Sequence, residues 1–183
     1  MDKHPESVPK HGCTSDRRVR RTREALTAAM VTLATRKSWS SITVRELLEQ
    51  ADVGRSTFYM HFKSKDDLLF STFETMLLSL DACVEDGRLA PVRELFAHAG
   101  ESNAFHQALV RARMIDRLYN RGVAVCTETI AKRLEDDPRP DDPVPPTIRA
   151  RALAGALFAL LEGWVHSGRT QTPDQMDALF HLL

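Results

Sequence analysis

The chain has 183 residues, 43% of them hydrophobic and 27% charged, enough apolar material for one or two small cores. No run approaches the roughly 18 uninterrupted apolar residues of a membrane span, and the polar start MDKHPESVPKHG lacks a signal-peptide apolar region, so a cytoplasmic protein without membrane contact is expected. Formal net charge is zero, yet through Lys65 the basic residues outnumber the acidic ones by six and beyond it the imbalance reverses, which excludes an evenly charged surface.

Residues 1–15, rich in Pro, Lys, Ser and His, are expected to form a disordered tail. Arg17, Arg18, Arg20, Arg21 and Arg23 then lead into a helix in which Leu26, Ala29, Met30, Leu33 and Ala34 recur at helical spacing. The arginine run is either a solubilising segment or an arm reaching phosphates or the minor groove. Thr43 and Glu46 make a capping box, so a helix starts at Val44 and buries Val44, Leu47, Leu48 and Ala51 on one face. Gly54 closes a short turn that Val53 plugs. The next helix, residues 55–62, buries Phe58 and Phe62 and leaves Arg55, Ser56, Thr57, Tyr59, Met60 and His61 outward, a set suited to phosphates and base edges. Ser64 and Asp67 cap a further helix beside Lys63 and Lys65, where phosphate is attracted.

The run TVRELLEQADVGRSTFYMHFKSKDDL, Thr43 to Leu68, resembles the helix-turn-helix of the TetR family of bacterial transcriptional regulators. Its most specific portion is Phe58-Tyr59-x-His61-Phe62-x-Ser64-Lys65. One departure is Ser38, near which the family often has glycine. The resemblance implies an all-α subunit, with a three-helix DNA-binding domain over residues 16–65 and a helical effector-binding and dimerisation domain over 66–183. It implies phosphate contacts by Thr43, Tyr59, His61 and Lys65, while Arg45, Arg55, Ser56, Thr57 and Met60 are placed to touch bases or backbone. If Lys65 holds a phosphate, Lys65→Ala weakens binding to all sequences alike and flattens the salt dependence by about one unit.

Leu69, Phe73, Met76, Leu77 and Leu80 continue a long helix expected to end near the Asp86-Gly87 turn. Pro91 suits the first turn of a helix that Gly100 ends. From Asn103 to Asp136 there is one helix or two; Gly122 weakens it, and Arg111 to Arg113 is either a junction or a solvated turn. The DDPRPDDPVPP segment, Asp136 to Pro146, is a linker. Beyond it Thr147 is expected to cap a helix with Leu153, Leu157, Leu160, Leu161 and Trp164 on one side and the small residues Ala152, Gly155, Ala156, Ala159 and Gly163 available for close approach; Gly168 stops it. Thr172, Pro173 and Gln175 then open a last helix bearing Met176, Leu179, Phe180 and Leu183.

These last two apolar faces pack either into their own subunit or against a second copy. The resemblance implies a four-helix dimer interface, with Leu153, Leu157, Leu160, Leu161, Met176, Leu179 and Phe180 as candidates, and a homodimer matches a palindromic operator in double-stranded DNA. It also implies a pocket for a small hydrophobic or aromatic effector. Candidate lining residues are Phe73, Met76, Phe96, Phe105, His106, Met114, Tyr119 and Trp164, each competing with plain core packing. A filled core would instead favour control by a protein partner. Repression is the family default, with the effector binding the DNA-incompetent arrangement better. No hydrolase, metalloprotease, Walker or dinucleotide motif is present, the seven histidines are scattered, and Cys13, Cys83 and Cys126 are odd in number, so no enzyme, metal or cofactor is expected.

Overall fold

The computed structural model describes residues 12–85, 87–137 and 143–183, with side chains from Arg17 onward apart from that of Asn103. Among these residues the chain is helical throughout, without a strand: α1 Gly12–Arg36, α2 Val44–Ala51, α3 Arg55–His61, α4 Lys65–Asp81, α5 Val92–Glu101, α6 Asn103–Arg111, α7 Ile115–Asp136, α8 Pro146–His166 and α9 Pro173–Phe180. A short 3-10 turn, Trp39–Ser41, joins α1 to α2. Helix α1 begins at Gly12, inside the expected tail, because no proline lies between Pro9 and the end of α1 at Arg36 and the arginine run is a good helix former. Residues 1–11 of that tail lie outside the described residues.

Two buried clusters form. The first joins Leu26, Ala29 and Met30 of α1 with Trp39, Ile42, Leu47 of α2, Phe58 and Phe62, and Leu68 and Leu69 of α4. It also takes in Ala108, Leu109, Met114 and Leu118 from α6 and the start of α7. A partition of the chain at residue 65 therefore cuts through this core: the helix-turn-helix rests on helices that arrive much later in sequence. The second cluster packs Leu77 of α4, Val92, Leu95 and Phe96 of α5, Cys126, Ile130 and Leu134 of α7, the inner face of α8, and Met176 and Phe180 of α9.

Several boundaries differ from the sequence expectation. Helix α4 ends at Asp81, not at Asp86-Gly87, and Asp86 lies outside the described residues. The stop coincides with a clamp: Arg133 of α7 donates to both carboxylate oxygens of Asp81, at 2.6 and 3.0 Å, and to its carbonyl at 3.0 Å. This bidentate geometry joins charge attraction to directional hydrogen bonding. Pro91 sits at the N-cap of α5, and the helix runs past Gly100 to Glu101. The α6–α7 break falls at residues 112–114, where Arg113 adopts the left-handed region, φ 55°. Helix α8 starts at Pro146, whose fixed φ and missing N–H cost nothing at a first position, so Thr147 lies inside the first turn and does not cap it. Of the Asp136–Pro146 linker, residues 138–142 lie outside the described residues. Gly168, at φ 81°, follows the end of α8, and the Thr172–Gln175 box opens α9 as expected.

Candidate nucleic-acid interface

Helices α2 and α3 are positioned by a chain of local causes. The Thr43 hydroxyl accepts from the Glu46 amide at 3.3 Å and the Glu46 carboxylate accepts from the Thr43 amide at 2.9 Å, so α2 starts where the capping box requires. Lys37, just past the end of α1, pairs with the same carboxylate. The Lys37 ammonium first, and then the Thr43 donors, pull the Glu46 carboxyl down to about 2. Since the folded value lies below the unfolded one, near 4.5, this contribution to stability is complete above pH 4.5 and fades as pH falls toward 2. The excess in urea midpoint of the natural chain over Glu46→Gln is therefore expected to shrink across that window. A constant difference from pH 6 to pH 2 would remove the Lys37 pair from the account.

The short turn between α2 and α3 ends at Gly54, the N-cap of α3. Asp52, not Gly54, takes the left-handed conformation, at φ 52° and ψ 48°, a position that Asp and Asn tolerate better than most side chains. Gly54 is extended, at φ −66° and ψ 145°, and a Cβ there would meet nothing nearer than Thr57 Oγ1 at 3.8 Å. Gly54→Ser is accordingly expected to melt within a degree or two of the natural chain or above it, because Ser supplies the N-cap acceptor that α3 lacks; a loss above about 1 kcal/mol in urea titration would contradict this geometry.

Phe58 is wholly buried and Phe62 nearly so, which anchors α3 and turns its other faces out. Met60 is 73% exposed and Tyr59 48%, unusual for side chains of that size on so short a helix. Arg45, Arg55 and Ser56 are exposed, and Thr57 and His61 are half-buried beside them. The Arg55 guanidinium stands 5.6 Å from the Tyr59 ring centre. Arg45, Arg55 and Tyr59 thus share one outward groove, while Ser56, Thr57, Met60 and His61 lie on the other outward sides of α3. A groove of about 580 Å3 between α2 and α3 is lined by Arg45, Asp52, Arg55 and Tyr59 among others.

Two members of the expected phosphate set are otherwise engaged. The Lys65 ammonium turns inward, donating to the carbonyls of Trp39 at 2.6 Å, Ile42 at 2.7 Å and Ser40 at 3.4 Å, 5.4 Å from the Trp39 ring centre. Burial, more than any neighbouring charge, lowers its pKa. Its three donors thus have three backbone acceptors within the chain. The Thr43 hydroxyl, although exposed, donates its proton to Glu46 at 2.8 Å. Both residues hold the motif together.

Sequence reasoning missed Asp66. Its carboxylate accepts from Trp39 Nε1 at 2.9 Å and from Arg117 of α7 at 3.2 Å, so α7 shares an acceptor with the turn that precedes α2. Arg117 also lies 4.9 Å from the Phe70 ring centre. Neither residue stands out by spacing, because the pairing joins positions far apart in sequence.

The expected effector lining is not one surface. Phe96 and Trp164 stack edge-on at 5.1 Å within the second core, whereas Met114 and Phe105 belong with the first. Phe73 and Tyr119 both meet Phe158, at 6.4 and 5.4 Å, and the space between α7 and α8 is filled by that ring lying on Gly122. Met76 packs at the edge of the same core. His106 Nε2 is hydrogen-bonded to the Tyr119 hydroxyl at 2.8 Å, while its Nδ1 is buried without a partner. Burial pushes the Tyr119 pKa up and the His106 pKa down, the latter helped by Arg169 and His166, so both are held neutral. None of the eight lines a described cavity.

The expected dimer set divides as well. Leu157, Leu161, Met176 and Phe180 are buried in their own subunit, because the face of α8 that carries the large leucines is the one turned to α7. Leu153 and Leu160 are half-buried, and Leu179 is 47% exposed. The outward face of α8 carries Ile148, Ala152, Gly155, Ala159 and Gly163 instead. The thiol of Cys126 is buried and pushed up to about 12, which leaves it unreactive, and the described residues contain no metal-binding group of His, Cys, Asp or Glu.

A short exposed helix, set by a capped partner across a tight turn, defines a helix-turn-helix. Residues 26–72 match the model of the bacterial regulatory proteins, tetR family. Over 55 residues the chain is 42% identical to an uncharacterized HTH-type transcriptional regulator, YxbF of Bacillus subtilis strain 168, a match spanning 30% of this chain and only 14% of that protein. The fold as a whole is similar to a TetR transcriptional regulator from Streptococcus agalactiae 2603V, at 22% identity and a TM-score of 0.62, covering 91% of this chain and 95% of the other. It is similar also to the dihydroxyacetone kinase operon activator DhaS, at 18% identity and a TM-score of 0.63, with 87% and 91% covered. The sequence match to the tetR family lies in residues 26–72, and beyond them the likeness to solved structures is one of fold. No described helix is long and apolar enough to cross a membrane.

Proposed function

We propose that this chain binds double-stranded DNA as a two-fold dimer on a palindromic operator and represses transcription there. The observation that carries the reading is the outward face of α3, where Met60 and Tyr59 stay exposed beside Arg55, Ser56, Thr57 and His61. Polar groups of this kind reach phosphates and base edges, and an exposed Met suits a thymine methyl. With Lys65 and Thr43 holding the motif, the contacts fall to Tyr59 and His61 on phosphate and to Arg45, Arg55, Ser56, Thr57 and Met60 on bases or backbone.

The dimer reading draws on α8. Ile148, Ala152, Gly155, Ala159 and Gly163 form one outward stripe, and a Cβ at Gly155 or Gly163 would meet nothing within 4 Å, so their own subunit does not require glycine at either position. A second helix packed closely on that stripe does. Leu179, Leu182 and Leu183, at 47%, 82% and 73% exposed, extend the apolar surface from α9 to the end of the chain. Repression follows from occupancy, since a bound dimer excludes other proteins from the same stretch of duplex.

A signal in the C-terminal half reaches the reading head through the shared core of α6 and α7 and through Arg117 and Asp66. A small hydrophobic effector would have to displace Phe158 from Gly122 to enter between α7 and α8. The filled interior is a specific reason to hold a second reading, in which a protein partner docks on the surface. Selection of bound duplexes from a random library, with the mass of the complex measured, tests the main reading. An enriched inverted repeat carrying two or four chains is expected; no enrichment at low salt would overturn it.

A further inference from the structure

We infer that the first half of α1 is a second DNA-contacting element: a rigid arginine-faced helix laid on the phosphates beside the half-site that α3 reads. The inference rests on the DNA-binding reading above. Five arginines occupy the seven positions from Arg17 to Arg23, and all five are exposed. Among the described residues only Arg20 of the five pairs with a carboxylate, Glu24 at 3.5 Å, and that pair is open to solvent on both sides. Such a pair contributes little, whereas like charges three and four residues apart repel. Among the described residues the segment therefore presents largely uncompensated charge on a helix.

Its direction is set by packing. Leu26, Ala29 and Met30 are buried, and Val19 and Thr22 part-buried, which locks the rotation of α1 and leaves Arg17, Arg20 and Arg21 on the outer side. One turn further on, the Arg23 guanidinium stands 5.3 Å from the ring centre of Phe62, the residue that closes α3. The arginine face thus begins beside the end of the reading helix and runs away from it along a continuous helix. A minor-groove arm needs extended chain, because that groove is only about 6 Å wide while a helix with side chains measures roughly 10 Å. The helical state at Arg17–Arg23 excludes insertion and leaves contact from outside, with long side chains neutralising phosphates regardless of sequence.

The test compares the full chain with its Arg17→Ala/Arg20→Ala/Arg21→Ala variant, on the selected operator and on a random duplex, between about 50 and 200 mM salt. The logarithmic salt dependence is expected to become shallower by about 2 to 3 units, with the same fold loss on both duplexes and an unchanged or higher melting temperature. The corresponding triple lysine variant keeps the charge and is expected to keep the natural slope. An unchanged slope in the alanine variant overturns the inference, as does a loss that depends on A·T content at the flank. If the natural chain binds no duplex, the DNA-binding reading itself fails; binding by the natural chain with an unaltered variant slope removes this element alone.

Discussion

Lys65→Ala is expected to lower the stability of the chain by about 2 to 4 kcal/mol while leaving the salt dependence of DNA binding by the folded fraction unchanged. The reason is where the ammonium points. It closes the 3-10 turn by donating to the carbonyls of Trp39, Ser40 and Ile42, and it lies over the Trp39 ring. Removing it strands half-buried carbonyls at the point where α1 hands over to α2, and charge-assisted hydrogen bonds contribute about 1.5 to 3 kcal/mol each. Trp39 would retain its bond to Asp66, so the turn should loosen without dissolving. A urea titration followed by Trp39 fluorescence reports the change, with Trp164 as an internal reference in the second core. A phosphate-binding Lys65 would give the opposite pair of results: the natural midpoint, and a slope about one unit shallower.

Gly122→Val is expected to cost about 2 to 3 kcal/mol, although it replaces a helix-weakening residue. A Cβ at this position would lie 2.2 Å from Phe158 Cζ and 2.7 and 2.9 Å from two further ring carbons. The ring cannot simply swing aside, because Tyr119 and Phe73 flank it at 5.4 and 6.4 Å. In Gly122→Ala the helix gains about 1 kcal/mol of propensity, which partly offsets the overlap, so the valine variant is the clearer probe. Combining Gly122→Val with Phe158→Leu should recover part of the loss. Additive effects of the two changes in denaturant titrations would show that the ring and the glycine do not interact. The same contact bears on regulation, since this ring occupies the space between α7 and α8 that an effector would need.

Much of the local architecture was legible in the sequence. The Thr43–Glu46 and Thr172–Gln175 boxes, the burial of Phe58 and Phe62, and the stop after α8 at Gly168 each depend on residues within a few positions of one another. The turn closed by Gly54 was legible as a turn, but its backbone was not: Asp52 adopts the left-handed conformation, which Asp tolerates better than most side chains. The boundaries of α4 and α8 slipped because a clamp from Arg133 and a proline at a first helical position outweigh simple turn signals.

The candidate site shows the same division. Sequence by itself determined the helix-turn-helix, its outward residues and the excess of positive charge beside it, because capping, amphipathic period and charge count are short-range properties. Only the tertiary structure decided that Lys65 faces three carbonyls and not solvent, that α6 and α7 complete the core under the reading head, and that Phe158 fills the space opposite Gly122. It also decided which side of α8 is buried: Leu157 and Leu161 go inward against α7, and the small residues Ala152, Gly155, Ala159 and Gly163 lie outward. Each of these depends on which distant segments meet, and two residues some forty or more positions apart carry no periodic signal of their contact.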